Sequence, residues 1–229
     1  MMQLRIVSSM ATRRLLADLA DAFSAAAPGA DVSVISIGGV DAAKRVAAGE
    51  PFDAVVLAAG AIDQLIAHGH VLAGSRIDIV TSPMAVAVRA GEAHPSIETE
   101  EAVRQAVLAT PRIGYSTGPS GDHLIALFER WGIAAAVKER LVQARPGIPV
   151  ASLVASGEAS IGFQQLSELL HVDGVEVVGL LPAAIQGTTT FSGGIARVSA
   201  QSERVRELLA FMASPAMAEI KRRHGMEPA

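Results

Sequence analysis

Residues 31–57, DVSVISIGGVDAAKRVAAGEPFDAVVL, decide the fold class. Asp31–Ile37 is rich in β-branched residues and reads as a strand. Gly38-Gly39 is a turn, and Asp41–Ala48 reads as a helix closed by Gly49. Asp53–Leu57 is a second strand. A strand, a helix and another strand in so short a stretch form a crossover unit, which joins parallel strands under a covering helix.

The rhythm extends in both directions. Upstream, Leu4–Val7 is strand-like, and Thr12–Ala27 carries Leu15, Leu16, Leu19, Ala20 and Phe23 at helical spacing, with Pro28-Gly29 as the stop. Downstream, Ala61–His68 is a short helix, Pro83–Arg89 a strand, Thr99–Ala109 a helix and Arg112–Tyr115 a strand. Ser116–Gly121 is a loop of small residues opening the helix Asp122–Trp131. Pro149–Ser156 reads as a helix, Ile161–Gln164, Val175–Leu180 and Phe191–Val198 as strands, and Ser202–Arg223 as a closing helix. The expectation is an α/β chain with a parallel sheet covered on both faces. It divides into one lobe of residues 1–80 plus 190–229 and a second of 81–189, with strands crossing near Thr81 and Thr189.

Composition narrows the function. Of 229 residues, 50% are hydrophobic, which excludes a disordered chain, and the formal charge of −4 argues against an electrostatic nucleic-acid binder. The absence of cysteine removes disulfides, thiolate metal sites and a cysteine nucleophile. His68 and His70 lack the acidic or histidine neighbours of a metal site, and neither a metal nor a cofactor is expected. No apolar run approaches the ~20 residues that span a bilayer, so no membrane insertion is expected. Met1-Met2 runs directly into strand-like Leu4–Val7 with no leader pattern. The expected location is therefore the cytoplasm, with the periplasm as the alternative for a chain that has lost its leader.

Five stretches taken in order resemble one family. They are LRIVSSMATRRLLADLADAFSAAAPGADVSV (4–34), GGVDAAKRVAAGEPFDAVVLA (38–58), IGYSTGPSGDHLIALFERWGI (113–133), ASGEASIGFQQLSEL (155–169) and FMASPAMAEIKRRHGM (211–226). Together they resemble the molybdate-type, or ModA-like, periplasmic solute-binding proteins, a group with relatives of the aconitate-isomerase kind. The second stretch is the most specific: a helix ending Ala48-Gly49, then Glu50-Pro51-Phe52-Asp53 and an apolar strand.

The resemblance implies a two-lobed periplasmic-binding-protein fold of type II, with an oxyanion held in a cleft between lobes by hydroxyls and backbone N–H groups. Helix entries suit this chemistry, because their first N–H groups lack intrahelical partners and carry partial positive charge. Four loops have that character: Ser8–Thr12, Gly38–Asp41, Ser116–Gly121 and Gly147–Val150. The ligand residues implied are Ser8, Ser9, Met10, Ala11, Thr12, Gly38, Gly39, Ser116, Thr117, Ser120, Gly121, Gln164 and Gln165. For Gly118–Gly121 the alternative is an ordinary helix entry, and for the two glutamines a polar strand end.

The departures from the family pattern concern hydroxyls. Ala11 stands where the first loop of the molybdate binders has serine, Gly38-Gly39-Val40 where the second has another, and Gln165 where a tyrosine follows the strand. Molybdate is therefore disfavoured, and a di- or tricarboxylate is expected instead. The first functional reading is a solute-binding protein for such an anion, serving an ABC-transporter permease if exported and working as a monomer. The second is an isomerase on the same scaffold that shifts a double bond in an unsaturated carboxylate by proton transfer. Candidates for its base are His123, Asp122, Tyr115 and Lys44.

Overall fold

The computed structural model describes residues 3–27 and 29–229. The chain divides into two compact units, residues 1–82 with 190–229 and residues 83–189.

The first unit holds strands β1 (Gln3–Ser9), β2 (Asp31–Ile37) and β3 (Ala54–Ala58) and helices α1 (Arg13–Ala26), α2 (Gly39–Ala47) and α3 (Ala59–Ala67). β1 runs parallel to β2, Gln3 opposite Asp31 through Ser9 opposite Ile37, and parallel to β3 on its other side. Alternation along the central strands explains why they read as unbroken apolar runs. Leu4, Ile6, Ala54 and Val56 pack with Leu15, Leu16, Leu19 and Phe23 of α1. Val7, Val55 and Leu57 pack with Ala42 and Val46 of α2 and Ile62 and Leu65 of α3 on the opposite face.

The second unit begins within β4 (Ile77–Arg89), which passes from one unit to the other, and continues through α4 (Glu100–Ala109), β5 (Ile113–Tyr115), α5 (Pro119–Arg130) and α6 (Ala134–Val137). It then holds β6 (Leu141–Gln143), α7 (Val150–Ala155), β7 (Ile161–Gln165), α8 (Leu166–Leu169) and β8 (Val175–Leu180). β5 is parallel to β6 and β7, whereas β4 is antiparallel to β7 and β8. Ile113, Ile161 and Phe163 pack against Leu124, Leu127 and Phe128 of α5. Ala85 and Ala87 pack with Ala151 of α7 and Leu169 of α8.

The chain returns to the first unit along β9 (Thr188–Ile195), antiparallel to β3, and ends with α9 (Ser202–Ala213), α10 (Ala218–Arg223) and β10 (Glu227–Pro228), which pairs with Val80 and Thr81.

Four expectations change. The sheet is mixed rather than parallel, because the strands carrying the chain between units run against their neighbours. β4 starts six residues before Pro83, whose missing N–H does not end the strand. The single closing helix is two, broken at Ser214-Pro215, since Pro215 can donate no helical hydrogen bond. Helix α5 starts at Pro119, so Ser120 and Gly121 lie in its first turn rather than in the loop before it. The expected stop at Pro28 lies outside the described residues; Gly29 beside it is left-handed, φ +87°.

Candidate functional site

In the first unit the expected ligand residues lie where β1 passes into α1 and β2 into α2. Ser8 sits opposite Ser36 in the strand register, and their hydroxyls are 2.8 Å apart, so the Ser8 hydroxyl has a partner within the protein. Ser9 is buried, and its Oγ has no hydrogen-bond partner. Met10, Ala11 and Thr12 form a 3-10 turn, whose Thr12 hydroxyl donates to the Ser9 carbonyl at 3.3 Å. Gly38 is the N-cap of α2 and Gly39 its first residue; a Cβ at Gly39 would lie 3.7 Å from Ser9 Cβ. The structure thus brings Ser9 and the open N-terminus of α2 together. No side chain caps that end, so its first N–H groups are available to an anion.

In the second unit the loop after β5 folds over the start of α5. The Ser116 and Ser120 hydroxyls are 2.9 Å apart, and Ser116 Oγ also accepts the Gly118 N–H at 3.2 Å. A pair of hydroxyls holds two protons and spends one on their mutual bond, which leaves one donor. Thr117 is exposed. Gly121 is required: a Cβ there would fall 1.9 Å from the Ser116 carbonyl oxygen.

The two glutamines at the end of β7 part company. Gln164 Oε1 accepts the Val150 N–H at 2.8 Å, at the entry to α7, and its amide also hydrogen-bonds the Glu168 carboxylate. The Gly147–Val150 entry therefore has one of its donors occupied by Gln164. Gln165 is buried; its Nε2 donates to Thr189 Oγ1 at 2.7 Å, while its Oε1 has no partner.

The proposed bases are scattered. His123, the fifth residue of α5, has Nε2 2.9 Å from the Ile185 carbonyl oxygen and its ring against Gly187. Asp122 is exposed, and Tyr115 packs against the core beside α5. Lys44 lies on the exposed face of α2, 3.9 Å from Asp41. The sequence reading passed over Glu168, the third residue of α8. Burial pushes its carboxyl up to about 7, against a smaller opposing pull from Gln164. The available signal was a Glu three residues beyond the end of β7, after Leu166 and Ser167.

Among the described residues no cluster of three His, Asp or Glu could hold a metal ion, and no helix is long and apolar enough to cross a membrane.

The chain as a whole is similar to known proteins. Residues 4–227 match the family model described as bacterial extracellular solute-binding protein. The chain is 38% identical over 187 residues to an aconitate isomerase from a Pseudomonas species, covering 80% of this chain and 70% of that protein. The periplasmic molybdate-binding protein of Azotobacter vinelandii superposes with a TM-score of 0.81 at 21% identity, covering 97% of this chain and 98% of the other. A sulfate-binding protein from Mycobacterium tuberculosis superposes with a TM-score of 0.80 at 15% identity, covering 100% and 88%. The shared architecture is the two-lobed periplasmic-binding-protein fold.

Proposed function

Since the chain belongs to the family of bacterial extracellular solute-binding proteins, we propose that it binds a small oxyanion, a di- or tricarboxylate; the candidate contacts are Ser9 and the entry to α2 within the first unit, and Ser116, Ser120 and Gln165 within the second. One observation carries the reading. Ser9 Oγ is buried and unpartnered, has a proton to donate to an anion, and falls at a position where the family resemblance puts a ligand contact. A buried polar atom without a partner is costly, and a ligand that pairs with it recovers that cost.

Carboxylate is favoured over molybdate because Ala11, Gly39 and Gln165 replace hydroxyls that would converge on a small tetrahedral ion. Exported, such a protein would pass its anion to an ABC-transporter permease. Isothermal titration calorimetry against molybdate, sulfate, phosphate and a series of di- and tricarboxylates tests the reading. Tightest binding of a carboxylate, weakened by Ser9→Ala and by Ser120→Ala, is the expected result; failure of every carboxylate to bind overturns it.

A second reading is favoured by the 38% identity to an aconitate isomerase together with Glu168. A carboxyl titrating near 7 can exchange a proton at neutral pH. In this reading an unsaturated carboxylate loses a proton from one carbon, its double bond shifts, and the proton returns at the far end of the allylic system. Proton NMR of cis- and trans-aconitate incubated with the protein tests it: interconversion lost in Glu168→Gln supports it, and two unchanged spectra dismiss it.

A further inference from the structure

Along β7 the side chains alternate between two faces. Gly162 abuts Val154 and Val150 of α7, and Gln164 accepts the Val150 N–H, so even positions face α7. Ile161 and Phe163 pack with Leu124, Leu127 and Phe128, so odd positions face α5. Gln165 continues the odd series at the strand's C-terminal end. β5 runs parallel beside β7, Tyr115 opposite Phe163, so the Ser116–Gly121 segment leaves the sheet at that same end and enters that same α5. Gln165 and the Ser116–Ser120 hydroxyl pair therefore share one end and one face of the second unit's sheet.

These groups differ in polarity. The serine pair keeps a donor to spare. Gln165, only 3% exposed, presents the reverse: its Nε2 is held by Thr189 Oγ1 at 2.7 Å, and its Oε1 is an acceptor with no donor. A fully deprotonated oxyanion such as sulfate or molybdate offers lone pairs alone and would meet that oxygen lone pair to lone pair.

We propose that the anion bound here carries its own hydrogen-bond donor, a hydroxyl or an acidic O–H beside the charged oxygens, and that Gln165 selects for it. The inference rests on the oxyanion-binding reading above and names the ligand class more narrowly: a hydroxy acid, or an oxyanion that keeps a proton. The serine pair takes a charged oxygen, and Gln165 Oε1 accepts the O–H.

Calorimetric titration of matched pairs tests the inference: malate against succinate, citrate against tricarballylate, and hydrogenphosphate against sulfate, at pH 7.5. In at least one pair the O–H-bearing member should bind about tenfold or more tightly than its partner, the scale set by an unsatisfied buried acceptor. Gln165→Met should bring that ratio close to one. If that variant does not fold, Thr189→Val should also lower the ratio, because the released amide can turn its nitrogen toward the ligand. Equal binding within every pair, or a preference that survives either folded variant, overturns the inference and leaves the oxyanion reading in place. No binding by any of the six probes overturns the inference and the carboxylate reading together.

Discussion

Two glycines at helix entries carry opposite constraints. A Cβ at Gly39 would meet Ser9 Cβ at 3.7 Å and Leu57 Cδ2 at 3.9 Å, ordinary van der Waals contact. Gly39→Ser should therefore fold with a stability change under about 1 kcal/mol. It adds a hydroxyl beside Ser9, and one charge-assisted hydrogen bond, worth about 1.5–3 kcal/mol, should raise molybdate affinity tenfold or more by calorimetry. Gly121→Ala should behave in the opposite way, since its Cβ would overlap the Ser116 carbonyl at 1.9 Å. Overpacking of about 1–3 kcal/mol should appear in urea denaturation, together with loss of anion binding. The sequence placed Ser116, Ser120 and Gly121 together because small polar residues before a helix are a local signal. It did not separate Ser8 from Ser9, because the choice depends on register. Ser8 finds Ser36 across the strand pair, and Ser9 finds no partner.

Elements with long, periodic patterns were legible: α1, α2 and the β2–α2–β3 unit form where the apolar spacing put them, and α9 starts where expected but stops at Ala213. Three-residue β6 and four-residue α6 and α8 are too short to show a period, and α8 carries Glu168. That carboxyl makes a pH prediction. Its ordinary value is 4.5 and the folded value about 7, so between these the native state holds the proton that the unfolded state has released. Stability is then lost as pH rises through 4.5–7. Glu168→Gln should match the parent near pH 4 and exceed it above pH 7 by at most about 3 kcal/mol in urea denaturation. In α10, Lys221 is fully buried, and its Nζ has no partner. Burial holds its ammonium below 10.5, so between the folded value and 10.5 the unfolded state binds the extra proton and stability rises with pH. Lys221→Met should stabilise the protein by about 1–3 kcal/mol at pH 7, with the gain shrinking as pH approaches 10.5.

At the scale of the whole molecule, the net charge is −4 and the proposed anion donors are hydroxyls and backbone N–H groups rather than cationic side chains. Binding by neutral donors is a short-range effect, so anion affinity should depend weakly on ionic strength, unlike a site built on long-range attraction. Selectivity then follows from how many donors converge and where. A tetrahedral dianion needs several short contacts on a small sphere, and Ala11, Gly39 and Gln165 withhold three of the hydroxyls that the family resemblance would supply. Losing two charge-assisted hydrogen bonds at about 1.5–3 kcal/mol each weakens molybdate by roughly a hundredfold or more. A longer carboxylate spreads its charge over separate groups and tolerates donors set further apart. A ligand present at 100 times its Kd adds about 2.7 kcal/mol. For a chain of 229 residues that is a Tm increase of roughly 5–10 °C. In a thermal-shift series at equal millimolar concentrations, a di- or tricarboxylate should give an increase of that size and molybdate little or none. Sub-micromolar molybdate affinity by calorimetry would show instead that Ser9 and the N–H groups at the entry to α2 replace the missing hydroxyls in full.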